Sequence, residues 1–200
     1  MRKIVPANST AELIDATGYR EFHLDVGCGR GNFLIHAARQ HPDKLFVGVE
    51  INSLTHEILC DRLAREDLKN IRVICNEGYS FIRDHVPSDC VDGVHVYFPT
   101  PYLRPLNQLA EVKTKAKSLL LVHRFLAQCK RTLKTGGALR VVTDHHSYIR
   151  RARRYAKEVG LDEVPWTSPI KCDDLSHIIG TGCEIEMLSL GKRIYSMKFM

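Results

Sequence analysis

Seven residues, Asp25-Val26-Gly27-Cys28-Gly29-Arg30-Gly31, concentrate the chemistry this sequence announces first. They follow a short apolar run and precede a helical pattern. Glycines in that position let a backbone turn tightly and approach a ligand closely. Two further carboxylates recur at matching places. Glu50 closes the next apolar run, where an acid can take both hydroxyls of a ribose. Glu77 follows the third run, where it is expected to meet a base. The order of apolar run, glycine loop, helix, apolar run and acid is more specific than the loop alone.

Two ligands compete for such a loop. A dinucleotide fingerprint needs a third glycine at position 32, which is Asn32 here. The loop reads G-x-G-x-G, with an acid two residues before it. S-adenosyl-L-methionine has no pyrophosphate to cradle. It carries an ammonium and a sulfonium, which the Asp25 carboxylate complements. The pattern therefore favours S-adenosylmethionine over a nicotinamide dinucleotide or a purely structural loop. Asp25, Gly27, Gly29, Gly31, Glu50, Ile51, Asn76, Glu77 and Phe98 are the expected cofactor-binding residues.

A second motif follows the fourth apolar run: Phe98-Pro99-Thr100-Pro101-Tyr102-Leu103-Arg104. Two aromatics in a proline-stiffened loop form a rigid platform for a planar base; the plainer alternative is a turn with core-packed rings. Asp144, His145 and His146 follow the fifth run. They read either as a proton shuttle or as a polar first turn of a helix. His123 and His177 are read as structural. No group with metal-ligand spacing is visible.

The elements that must position these groups alternate along the chain. Runs 22–26, 45–50, 71–76, 93–98 and 138–143 read as strands. Between them, 32–40, 53–67 (with Ser53 as N-cap), 79–85 and 117–133 read as helices. The last of these is expected to stop at Gly136-Gly137, and a basic helix follows the fifth strand to about Gly160. GCEIEMLSLG and RIYSMKF read as a terminal hairpin turning at Gly191-Lys192. Strand and helix alternating five times predicts an α/β, doubly wound parallel sheet with an antiparallel edge. Ligands in such sheets bind beyond the strands' carboxyl ends.

Composition sets the frame. The chain has 200 residues, 44% of them apolar and 26% charged, which fits one soluble domain over 1–200 with 1–20 as an extension. No stretch approaches the roughly 18 apolar residues of a membrane span. The N-terminal segment has no apolar core of a secretory signal, so a cytoplasmic protein is expected. Seven scattered cysteines without a Cys-x-x-Cys pair read as free thiols. The formal charge of +6 is concentrated. Residues 104–134 carry eight basic side chains against Glu111 alone, and 150–157 read RRARRYAK. Two such clusters point toward a polyanion.

Taken in order, these motifs resemble the bacterial tRNA (guanine-N7)-methyltransferases over roughly residues 22–200. The family's PDKxFxGxE matches Pro42-Asp43-Lys44-Leu45-Phe46-Val47-Gly48-Val49-Glu50, and its F-P-D-P-W loop is similar to Phe98-Pro99-Thr100-Pro101-Tyr102. Its A-T-D corresponds to Val142-Thr143-Asp144, and its T-x-x-E to Thr181-Gly182-Cys183-Glu184. The resemblance implies a Rossmann-like, seven-stranded S-adenosylmethionine-dependent methyltransferase fold. It implies methyl transfer to N7 of a guanine in tRNA. Thr100, where the family has an acid, and Asp144 would be catalytic. Tyr102, Arg104, Asp144, Thr181 and Glu184 would hold the guanine. The lysine- and arginine-rich run that normally follows the loop is replaced by LRPLNQLAEVKTKAK. That leaves two alternatives, a small-molecule N-methyltransferase acting on a free purine-like heterocycle and a silent RNA-binding homologue.

Overall fold

The computed structural model describes residues 3–4, 14–99, 121–166 and 189–200. Nine strands lie among them: β1 (Lys3–Ile4), β2 (Ile14–Asp15), β3 (Glu21–Val26), β4 (Lys44–Glu50), β5 (Ile71–Cys75), β6 (Val91–Tyr97), β7 (Leu133–Thr143), β8 (Glu163–Val164) and β9 (Tyr195–Phe199). The helices are α1 (Asn32–Gln40), α2 (Ser53–Leu63), α3 (Gly78–His85), α4 (His123–Thr132) and α5 (His146–Glu158). β1 and β2 form a separate antiparallel pair. The other seven strands form one sheet in the order β5-β4-β3-β6-β7-β9-β8. The first five are parallel, β9 is antiparallel to β7, and β8 is antiparallel to β9. From β3 the chain winds outward to β4 and β5, then returns to place β6 on the other side of β3. That reversal opens a crevice at the carboxyl ends of β3 and β6.

The central strands β3, β4 and β6 are buried on both faces, as central parallel strands must be. One face of β3 and β4 presents Phe22, Leu24, Val26, Leu45, Val47 and Val49 to Phe81, Phe125, Leu126, Tyr148, Ile149 and Ala152 of α3, α4 and α5. On the other, Phe46, Tyr97 and Val142 meet Phe33, Leu34 and Ala38 of α1 and Leu59 of α2. The fold so built is the expected doubly wound one, and it differs from expectation at three places. α2 ends at Leu63, and its cap is Asn52, whose Oδ1 accepts the Thr55 N–H at 3.0 Å, in place of Ser53. α4 ends at Thr132, before the glycines, and residues 117–120 of the expected helix lie outside the described residues. Gly136-Gly137 instead sits within β7, where the register slips: Val91 faces Leu133 while Gly93 faces Ala138. Gly136 takes φ +81°, which a side chain would resist. β9 is the second arm of the expected hairpin, and the first arm falls mostly outside the described residues. β8 supplies β9's other neighbour.

Candidate functional site

The glycine loop hangs from the end of β4. Gly27 N–H and Cys28 N–H both donate to Val49 O, at 2.8 and 3.2 Å. Gly29 N–H donates to Glu50 Oε2 at 2.9 Å, and Asn52 N–H donates to Glu50 Oε1 at 2.9 Å. The Glu50 carboxylate therefore ties the loop to the turn entering α2. Gly27, Gly29 and Gly31 all have positive φ. Among the described residues, a Cβ at Gly27 or Gly29 would meet nothing within 4 Å, whereas at Gly31 it would lie 2.3 Å from Leu59 Cδ1. The first two glycines border open space suited to a ligand, and the third lets α1 pack on α2.

Asp25 stands at the floor of this loop, with 3% of its surface exposed. Burial, and then the neighbouring Glu50, push its carboxyl up to about 7. Beyond Glu50, Ile51 is 61% exposed, an apolar side chain standing in water beside the crevice. Asn76 N–H donates to Glu50 O at 3.0 Å, which draws the end of β5 to the same rim.

Glu77 is placed differently from expectation. Its carboxylate caps α3, accepting Tyr79 N–H at 3.0 Å and both the Ser80 N–H and hydroxyl at 2.8 Å. The first N–H groups of a helix have no intrahelical partner, so an acid there is recruited locally. Phe98 follows β6 directly, with φ +48°, while its N–H donates to Val142 O at 2.8 Å. A bulky residue in the left-handed region is costly, and such strain gathers at functional sites. Asp144 sits at the end of β7, half-buried, with Lys192 Nζ 3.5 Å from Oδ2. His145 and His146 open α5 as a polar first turn, His146 exposed and tilted against the Tyr195 ring at 5.8 Å. The structure thus brings Asp25, Gly27, Gly29, Gly31, Glu50, Ile51, Asn76, Phe98 and Asp144 to one end of the sheet. Thr100, Tyr102, Arg104, Thr181 and Glu184 lie outside the described residues.

The two basic clusters part ways. Where it is described, the first is largely structural. Arg131 donates to Ile82 O and Val86 O at 2.9 Å, closing the end of α3. Lys130 donates to Gly160 O at 2.8 Å. Lys134 binds Asp92, which also accepts the Phe22 N–H. Its remaining members at 104 and 113–117 lie outside the described residues. In the second cluster Arg153 pairs with Glu163 at 2.7 Å. Arg150, Arg151 and Arg154 line a cleft of about 370 Å³ with His146 and Ser147. His146, Arg150 and Arg154 are four residues apart in turn, so one helix face carries them. That row begins two residues beyond Asp144.

A five-stranded parallel sheet, a glycine loop at its switch point and an antiparallel strand beyond β7 define a Rossmann-like methyltransferase fold. Solved structures agree. An A1408 methyltransferase of the 30S ribosome from an uncultured bacterium superposes with a TM-score of 0.62 at 18% identity, over 98% of both chains. A precorrin-6y C5,15-methyltransferase from Geobacter metallireducens gives 0.60 at 13%, over 90% of this chain and 78% of that one. The chain belongs to the methyltransferase family whose model, described as "Putative methyltransferase", matches residues 19–197. Curated relatives named tRNA (guanine-N(7)-)-methyltransferase include one from Staphylococcus carnosus. It is 28% identical over 176 residues, 88% of this chain and 79% of its own length. Another, from Thermus thermophilus, is 32% identical over 146 residues, 73% of this chain. The chain spans only 44% of that relative's length and 61% of one from Rubrobacter xylanophilus.

Proposed function

We propose that this protein is a cytoplasmic, S-adenosylmethionine-dependent methyltransferase acting on N7 of a guanine in tRNA. One observation carries the reading: the loop with its two carboxylates opens on the same end of the sheet as Asp144, from which the Arg150–Arg151–Arg154 cleft departs. A nucleoside site with a cationic track leading into it suits a base borne on a phosphate backbone. The shared name of the curated relatives points the same way.

The loop fits the cofactor, because Gly27 and Gly29 face open space and a buried carboxyl lies beneath them. When bound, S-adenosylmethionine supplies a methyl group on an already activated sulfonium. Asp25 offers its carboxylate to the cofactor's ammonium. Glu50, held by Gly29 and Asn52, turns its remaining lone pairs to the ribose. Ile51 covers the base. Because the Glu77 carboxylate caps α3, the polar contact to the base falls to the backbone and side chain of Asn76.

Guanine N7 has a free lone pair and no proton to lose, so the protein's task is orientation, worth roughly 7–11 kcal/mol. Phe98 and Tyr102 clamp the ring, while Arg104, Asp144, Thr181 and Glu184 hold its edges. Thr100, which matches the acid of the resembled F-P-D-P-W motif, gives a hydrogen bond in place of a charge beside the ring that becomes cationic. Labelled-methyl incorporation run in parallel on bulk tRNA and on free purines tests this function. Label in tRNA is expected, and label in free purines alone would overturn the tRNA assignment.

A further inference from the structure

The α1-facing side of the sheet carries an unusual row of polar groups. β3 places Glu21 and His23 there, and β6 places Gly93, His95 and Tyr97, with His23 opposite Gly93. Lys44 Nζ lies 2.7 Å and His23 Nε2 2.9 Å from Glu21 Oε2. His23 Nδ1 is 3.2 Å from His95 Nε2, and His95 Nδ1 is 2.9 Å from the Tyr97 hydroxyl. Burial would raise the Glu21 carboxyl, but hydrogen bonds from Lys44 and His23 hold it down at about 2. An ionised carboxylate only accepts. His23 Nε2 therefore carries a hydrogen and Nδ1 accepts. His95 Nε2 donates to it, and the Tyr97 hydroxyl donates to His95 Nδ1. Burial also keeps both imidazoles neutral. Every imidazole donor in the file is used.

Arg140 is different. It comes from β7 opposite His95, and its Nη1 is buried with no hydrogen-bond partner among the described residues. Gly93 makes room for it, since a Cβ there would lie 2.9 Å from Arg140 Nη1 and 2.4 Å from His23 Nδ1. A buried guanidinium nitrogen left unpaired costs free energy and calls for an acceptor. Arg140 lines a cavity of about 220 Å³ between the sheet and the C-terminal end of α1. Phe33, Phe46, Tyr97 and Trp166 give it aromatic walls, and its described lining contains no carboxylate. Lys44, the other cation there, is already engaged by Glu21. One available cation among the described lining residues suits a single negative charge, and flat aromatic walls suit a flat ring. The cavity is smaller than the usual range for drug-sized ligands, so it fits one small ring.

We propose that this cavity is a binding site for a small planar aromatic carboxylate, separate from the methyl-transfer rim, with the carboxylate on Arg140 and the ring against Phe33 and Trp166. The site lies over the body of the sheet, reaching back to His41 and Lys44 at the strand entrances. Trp166 is the chain's single tryptophan, so its emission reports on this cavity alone. Benzoate should quench that emission saturably. Its neutral isostere benzamide should need at least tenfold higher concentration, and inorganic phosphate should give no saturable response. Arg140→Met should weaken the benzoate response at least tenfold while leaving benzamide unchanged. Equal quenching by benzoate and benzamide in the wild-type protein would overturn the proposal without recourse to any variant. So would an Arg140→Met protein of unchanged thermal unfolding that responds to benzoate like wild type.

Discussion

Asp25→Asn probes the floor of the cofactor loop through two opposite effects. Burial and Glu50 raise the Asp25 carboxyl to about 7 in the folded protein. Its unfolded value is about 3.9. The folded state thus holds the proton more tightly. The stability that this proton confers is complete below pH ~4 and is lost as pH rises through 7. At pH 8 the folded protein carries a buried carboxylate at a cost of about 4 kcal/mol. Asparagine keeps the shape of the neutral acid without that cost. The variant should resist urea more than wild type at pH 8, by up to about that amount, and no more than wild type at pH 4. Cofactor binding runs the other way. An ammonium partner needs the ionised carboxylate, so the wild-type Kd should scale as one plus the protonated-to-ionised ratio, weakening roughly tenfold from pH 8 to pH 6. Asp25→Asn should abolish that dependence and weaken binding at pH 8 by about 1.5–3 kcal/mol, the range for hydrogen bonds to charged groups. Calorimetric titration of S-adenosylmethionine at the two pH values reads this directly. A wild-type Kd that is flat between them, or a variant less stable than wild type at pH 8, would refute the reasoning.

Glu50→Ala removes both the ribose acceptor and the partner of the Gly29 and Asn52 N–H groups; calorimetry should show cofactor affinity falling by at least about 1.5–3 kcal/mol. Thr100→Asp restores a charge beside the ring that becomes cationic, and kcat on tRNA should rise by up to roughly 10²-fold, with an unchanged or lower kcat refuting the electrostatic role. The double variant Arg150→Ala, Arg154→Ala should flatten the slope of log affinity for tRNA against log salt by about 1.4–1.8, as two lost phosphate contacts require. An unaltered slope would mean that the α5 cleft does not hold the backbone.

The five parallel strands and the glycine loop were legible because continuous apolar runs separated by amphipathic helices have one economical arrangement. Glu50 and Asp144 followed from strand ends alone. What escaped was local competition. Asn52 and Ser53 are both good caps, and only the turn held by Glu50 decides between them. Glu77 read as a ligand for the base because strand ends in this fold bind ligands, yet α3 begins one residue later and claims it. Gly136-Gly137 read as a helix stop, while the slip against Val91 that it serves depends on the neighbouring strand. Arg131 and Lys134 looked like part of a polyanion surface because their acceptors, Ile82 O, Val86 O and Asp92, are distant in sequence. The Glu21–His23–His95–Tyr97 file did leave a trace. Polar residues alternate at 21, 23 and 25 and aromatic ones at 95 and 97, the period of one strand face. Pairing the two stripes required knowing that β6 returns beside β3.

Nucleoside analysis of the product is the sharpest measurement of methylation of a tRNA guanine at N7. Unmethylated tRNA is incubated with the protein and methyl-labelled S-adenosylmethionine, digested to nucleosides and resolved by mass spectrometry. The label should appear as 7-methylguanosine, and Asp25→Asn and Glu50→Ala should reduce it in step with their cofactor affinities. Label on any other nucleoside, or unlabelled tRNA beside a labelled free heterocycle, would contradict it.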